Sequence, residues 1–168
     1  MAGSAACLYD DLSRARLKVG DVPVIAVNGA AKLVPAIAIY SKHPERFISR
    51  RWLEAQIFHF GPTIVHADVK AATRPVCVEY WWSGLWGCGG SAWDARKLAV
   101  ALGFSQIILC GCPLVAGPHV GGLSFASFMH REDVVEGFRR EIETDTEWHA
   151  GVYSCSGWTR EIFGECSP

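Results

Sequence analysis

Two small-residue turns stand before helical stretches in this chain, and each could hold a phosphate. Gly3-Ser4 precedes a helix starting near Leu8, and Gly87-Cys88-Gly89-Gly90 leads through Ser91 into a second helix. A helix N-terminus carries free backbone N–H groups and the positive end of the dipole, which suits an anion. Asn28-Gly29 ends an apolar run, and the Asn28 amide offers a donor and an acceptor for a ribose or base edge. His43 and Gly111 follow further apolar runs at equivalent places. Arg160, after Ser156-Gly157, has the planar fork of a phosphate clamp. Trp86 lies among glycines and is the best-placed aromatic for a mobile lid over a sugar or base. Each glycine turn also has a plain reading, since glycine is used wherever a chain turns tightly. Two such turns plus Asn28, all on one sheet edge, shift the balance toward a nucleotide.

The elements that would position these residues alternate along the chain. Ala95, Leu98, Ala99 and Leu102 recur at helical spacing, so a helix is expected from about Ala92 to Leu102, with Ser91 as N-cap and Gly103 after the end. Ile107 to Cys110 is a continuous apolar run, as in a strand buried on both faces of a parallel sheet. Leu8 to Leu17 reads as a helix with Leu8, Leu12 and Ala15 on one face. Val22 to Val27, Ala36 to Tyr40, Thr63 to Val65, Val76 to Trp82 and Val152 to Ser154 read as strands. Glu45 to Gln56 and Arg131 to about Trp148 read as helices, the second with Val134, Val135, Phe138 and Ile142 toward the core. Ser156 to Glu161 is a turn or short helix. This alternation predicts an α/β fold: a single Rossmann-like nucleotide-binding domain over residues 1–168, with a mainly parallel sheet and helices on both faces. Little chain precedes the Gly3-Ser4 turn, so the first strand is either Met1 and Ala2 alone or truncated. Ligands of such sheets bind outside the carboxyl ends of the strands, where the residues named above fall.

Bulk properties narrow the partners. A net charge of −1 argues against a dedicated nucleic-acid binder. No run approaches the roughly 18 apolar residues of a membrane span, and MAGSAACLYDDL lacks the basic start of an export signal. A cytoplasmic protein is therefore expected, with its seven cysteines reduced and mostly buried. A homo-oligomer is compatible with this composition. Cys110-Gly111-Cys112 with His119 fits no standard zinc spacing, and no Asp-x-Asp pair supports a metal-bound sugar nucleotide, so neither metal nor cofactor is expected. Trp81 and Trp82 read as core, and the acids Glu141, Glu143, Asp145 and Glu147 as a solvated helix end.

The order of these motifs resembles the sialyltransferase-like group: bacterial lipooligosaccharide sialyltransferases, motility-associated glycosyltransferases and archaeal pterin pyrophosphokinase-like proteins. The matching residues are Ala2-Gly3-Ser4, Val27-Asn28, Gly90-Ser91, Leu98-Ala99, Leu102-Gly103, Ile107-Ile108-Leu109, Gly111 and His130. The C-terminal SGWTREIFG also resembles small phage and prophage proteins. The resemblance implies a CMP-sugar-like donor whose nucleotide part meets Gly3, Ser4 and Asn28, with Gly90 and Ser91 lining the same pocket. It implies that His130 is the general base that deprotonates an acceptor hydroxyl, a role its near-neutral pKa suits. A helix-end histidine without a role is the alternative. The transferases carry an acid and a tyrosine pair after the glycine, where this chain has Cys112-Pro113-Leu114. Three functions follow as expectations: a glycosyltransferase on a nucleotide-sugar donor, a non-catalytic nucleotide binder such as a phage-encoded inhibitor, or a pterin pyrophosphokinase-like enzyme.

Overall fold

The computed structural model describes residues 1–44, 64–68, 78–83, 90–117 and 132–167. Strands β1 (Ile25–Val27), β2 (Ala38–Ser41), β3 (Ile64–Asp68) and β4 (Tyr80–Trp82) lie side by side in that order. Strands β5 (Ile107–Leu109) and β6 (Val152–Ser154) form a second pair. Every one of these pairings is parallel. The fold is therefore α/β with a parallel sheet, as the unbroken apolar runs lead one to expect.

The Met1–Gly3 segment joins the two groups of strands. Ala2 makes parallel bridges to Ala26 on one side and to Cys110 on the other. The Ala2 N–H donates to Ile25 O at 2.9 Å, and Val27 N–H donates to Ala2 O at 2.9 Å. Across the other edge, Cys110 N–H donates to Met1 O at 2.8 Å and Gly3 N–H to Cys110 O at 2.8 Å. The strands thus run β4-β3-β2-β1, then Met1–Gly3, then β5-β6. The direction of chain order reverses at Met1–Gly3, the place where open parallel sheets leave a crevice at their carboxyl edge.

Helices α1 (Leu8–Val19), α2 (Gly90–Ala101), α3 (Glu132–Thr144) and α4 (Gly157–Phe163) complete the described fold, with short 3-10 turns at Asn28–Lys32 and Thr146–Trp148. Alternate strand residues divide between the faces of the sheet, because successive side chains point to opposite sides. Ala26, Ile39, Val65, Ala67 and Cys110 pack with Leu8 and Ala15 of α1. Val27 and Tyr40 pack with Ala95 and Leu98 of α2, while Ile25, Ala38, Ile107 and Leu109 pack with Ala99 of α2 and Ile142 of α3.

Four expectations need correction. Helix α2 begins at Gly90, so Ser91 lies in its first turn rather than at its N-cap. Leu102 is 40% exposed, because α2 stops at Ala101 and the left-handed Gly103 (φ 92°) carries the chain away from the apolar face. The last long helix ends at Thr144 rather than near Trp148. Asp145 is not part of a solvated face. Its Oδ2 accepts the Trp93 indole N–H at 2.7 Å and pairs with the Lys97 ammonium at 2.8 Å. The helix expected over Glu45 to Gln56 lies outside the described residues.

Burial pushes the Asp145 carboxyl up, but the Lys97 and Trp93 hydrogen bonds outweigh it and hold it below its ordinary 3.8. A carboxylate depressed on folding contributes stability that is present above its unfolded value and is lost as pH falls through the folded one. Urea midpoints are therefore expected to fall on acidification below about pH 4, and Asp145→Asn to flatten that acid limb while lowering stability at neutral pH. An acid limb unchanged by Asp145→Asn would contradict this.

Candidate functional site

The carboxyl edge divides into two neighbouring groups of residues. The first surrounds the exit of the Met1–Gly3 segment. Gly3 and Gly111 touch there. A Cβ on Gly3 would collide with Gly111 O and come within 2.5 Å of Cys112 Sγ, and one on Gly111 would lie 2.6 Å from Gly3 O. Gly111 also has φ 64°, so both features demand glycine at this contact. Ala5 N–H donates to Gly111 O at 3.1 Å, which ties the first turn to the β5 exit.

Asp11, in the first turn of α1, locks this group from below. It is 1% exposed. Its Oδ2 accepts Gly111 N–H at 2.8 Å and the Ser156 hydroxyl at 2.7 Å. Ser156 Oγ also lies 3.2 Å from Cys7 Sγ. Burial pushes the Cys7 thiol up, and the Asp11 charge adds to that. Cys112, packed at the Gly3 contact, is pushed up to about 12 by burial. Neither thiol is a nucleophile at neutral pH. A fixed carboxylate beside the head of α1 also disfavours a phosphate there, since like charges repel at short range.

The second group gathers the exits of β1 and β2 and the start of α2. Asn28 takes a left-handed conformation (φ 51°), which asparagine tolerates better than most residues. The buried Ser41 hydroxyl donates to Asn28 Oδ1 at 2.8 Å and accepts His43 N–H at 3.1 Å. Gly29 is buried under this turn. Lys42 then reaches Asp94 of α2, Nζ to Oδ2 2.7 Å, with side chains 10% and 0% exposed. Asp94 is one turn beyond Gly90 and Ser91, so that ion pair brings the head of α2 against the β2 exit. Gly90 (φ 84°) is partly exposed, and a Cβ added there would make ordinary contact with the Phe138 ring.

Most of the residues expected at a ligand site therefore share this edge: Gly3, Ser4 and Gly111 in one group, Asn28, Gly29, His43, Gly90 and Ser91 in the other. Arg160 does not join them. Its guanidinium pairs with Glu165 at 3.2 Å, and Glu165 also pairs with Lys18 from the last turn of α1. Helix α1 leaves the carboxyl edge and returns toward β1, so its last turn belongs to the opposite edge of the sheet. His130 and Trp86 lie outside the described residues.

Asp11 and Asp94 were not singled out from the sequence. Both left a signal. Asp11 falls on the apolar face defined by Leu8, Leu12 and Ala15, and Asp94 is four residues before Leu98 on the buried face of α2. A charge on an apolar stripe calls for a buried partner. Ser41 and Lys42, with His43, were expected at the carboxyl end of a strand, where the structure has them. His66 was also missed. It is 4% exposed, its Nδ1 accepts the Trp82 indole N–H at 2.9 Å, and burial lowers its pKa. Trp82 packs against the α2 side of the core and Trp81 against the α1 side.

Among the described residues, the cysteines are free and no group of three or more His, Cys, Asp or Glu is placed to hold a metal ion. No described helix is long and apolar enough to cross a membrane. No protein-family model, curated protein or solved structure matches the chain.

Proposed function

We propose that this is a Rossmann-like nucleotide-binding domain that takes a CMP-sugar-like donor at its carboxyl edge and transfers the sugar to an acceptor hydroxyl. One observation carries the binding half: the strand exits bearing Gly3, Asn28 and His43 open on one edge together with the head of α2 at Gly90-Ser91, beside the point where chain order reverses. The Asp11 carboxylate at the head of α1 directs the donor phosphate toward α2, whose first turn contains no acid. The transfer half rests on the family resemblance, with His130 as the base. Calorimetric titration with CMP-, UDP- and GDP-linked sugars tests the proposal. Saturable binding of a CMP-linked sugar is the expected result, and heat from none of them would overturn it.

A second reading is favoured by one observation. Cys112 stands where the transferases carry an acid, and with its thiol pushed up to about 12 it cannot replace one at neutral pH. A domain that binds the nucleotide without transferring sugar would give the same titration but no release of CMP in the presence of acceptors.

A further inference from the structure

We propose that Ser41 is a positioning residue that holds Asn28 Oδ1 so that the amide N–H groups of Asn28 face the bound ligand. An asparagine amide is ambiguous by itself, because its oxygen accepts and its nitrogen donates, and the two ends can exchange places. Here the exchange is blocked. The His43 backbone N–H donates to Ser41 Oγ at 3.1 Å, which leaves the Ser41 proton to be donated onward. That proton goes to Asn28 Oδ1 at 2.8 Å. Turning the amide over would take that acceptor away from the proton of the fully buried Ser41 hydroxyl.

The consequence lies at the other end of the amide. Asn28 is partly exposed at the carboxyl edge, and its Nδ2 has no partner among the described residues. Its left-handed backbone, with Oδ1 held, fixes the direction of those two N–H bonds before any ligand arrives. Such preorganisation cuts the cost of ordering on binding. The inference rests on the nucleotide reading above and sharpens it. Asn28 faces an acceptor oxygen of the ligand, either a phosphoryl oxygen or a pyrimidine carbonyl.

The decisive variant is Asn28→Asp in the full chain. Aspartate keeps an oxygen for Ser41 and tolerates a left-handed backbone, but it replaces both donors by a second oxygen. The probes are CMP, cytidine and ribose 5-phosphate, titrated by calorimetry. CMP affinity is expected to fall by at least about tenfold, with the melting temperature little changed. A parallel loss for cytidine assigns the contact to the base carbonyl, and a parallel loss for ribose 5-phosphate assigns it to the phosphate. Binding of CMP within twofold of the parent protein would overturn the proposal. Ser41→Ala is expected to weaken CMP several-fold, and Ser41→Thr, which keeps the hydroxyl, to recover it. A ligand-free measurement separates this inference from the nucleotide reading. In nitrogen-15 NMR spectra, the Asn28 side-chain amide pair is expected to exchange readily with water and to shift in Ser41→Ala. If the parent protein binds none of the probes, the nucleotide reading fails, and an Asn28 amide pair unmoved by Ser41→Ala would remove the positioning role as well.

Discussion

Replacing Asp11 by alanine is expected to cost about 3 kcal/mol, a large share of the stability of a domain this size. The reason is what the side chain leaves behind. Both bonds of Asp11 converge on one oxygen, with Gly111 N–H at 2.8 Å and Ser156 Oγ at 2.7 Å. The residue is 1% exposed, so water does not readily replace it. A buried backbone N–H without an acceptor costs about 1–3 kcal/mol, and the void adds to that. Urea denaturation should show the midpoint falling by roughly 1–2 M at unchanged slope. Asp11→Asn keeps an oxygen in the same place and should cost only about 1 kcal/mol. If the alanine and asparagine variants were equally stable, the two bonds would not be the source of the effect.

The second large effect concerns the Lys42–Asp94 pair. Asp94→Ala is expected to destabilise by about 3–5 kcal/mol, because it removes the carboxylate paired at 2.7 Å with an ammonium that is only 10% exposed. Removing both charges at once should be much milder. Replacement of a buried ion pair by apolar side chains of similar volume is often close to neutral, so Lys42→Met combined with Asp94→Leu should regain most of the loss. Thermal unfolding of the two singles and the double in one cycle measures the coupling. A double variant as unstable as Asp94→Ala alone would contradict a pairing origin. A stable double variant would also show whether ligand affinity needs the pair's charges or only the docking of α2 on the β2 exit.

The fold was more legible than the site, for reasons that can be traced to particular residues. Ile107-Ile108-Leu109 and Val152-Tyr153-Ser154 announced buried strands because an apolar run without alternation leaves few alternatives. Leu98 and Ala99 marked the buried face of α2, and both are at most 2% exposed. Leu102 misled because periodicity continues in sequence after the helix has stopped at Ala101. Gly3, Asn28 and Gly90 could be placed at the carboxyl edge because strand ends and helix starts are local features. The groups that hold them could not, because their partners are distant. Asp11 meets Gly111 across 100 residues, and nothing near Asp11 predicts that contact. Asp145 was misread for the same reason, since its partners Trp93 and Lys97 lie on another helix. Arg160 was placed by its distance from the Ser156 turn, and the pull of Glu165 decided its direction instead.

The Met1–Gly3 segment has a consequence for how the chain reaches its native state. Its hydrogen bonds to β1 close a modest loop, but those to Cys110 must wait for more than a hundred intervening residues. Closing so long a loop has an entropic cost that no local contact offsets in advance, and non-local parallel pairing slows folding. During synthesis, β1 to β4 can assemble early while the far edge of Met1–Gly3 stays open. Met1–Gly3 is then among the last segments to find its second neighbour, and joining of the two strand groups is the expected slow step of folding.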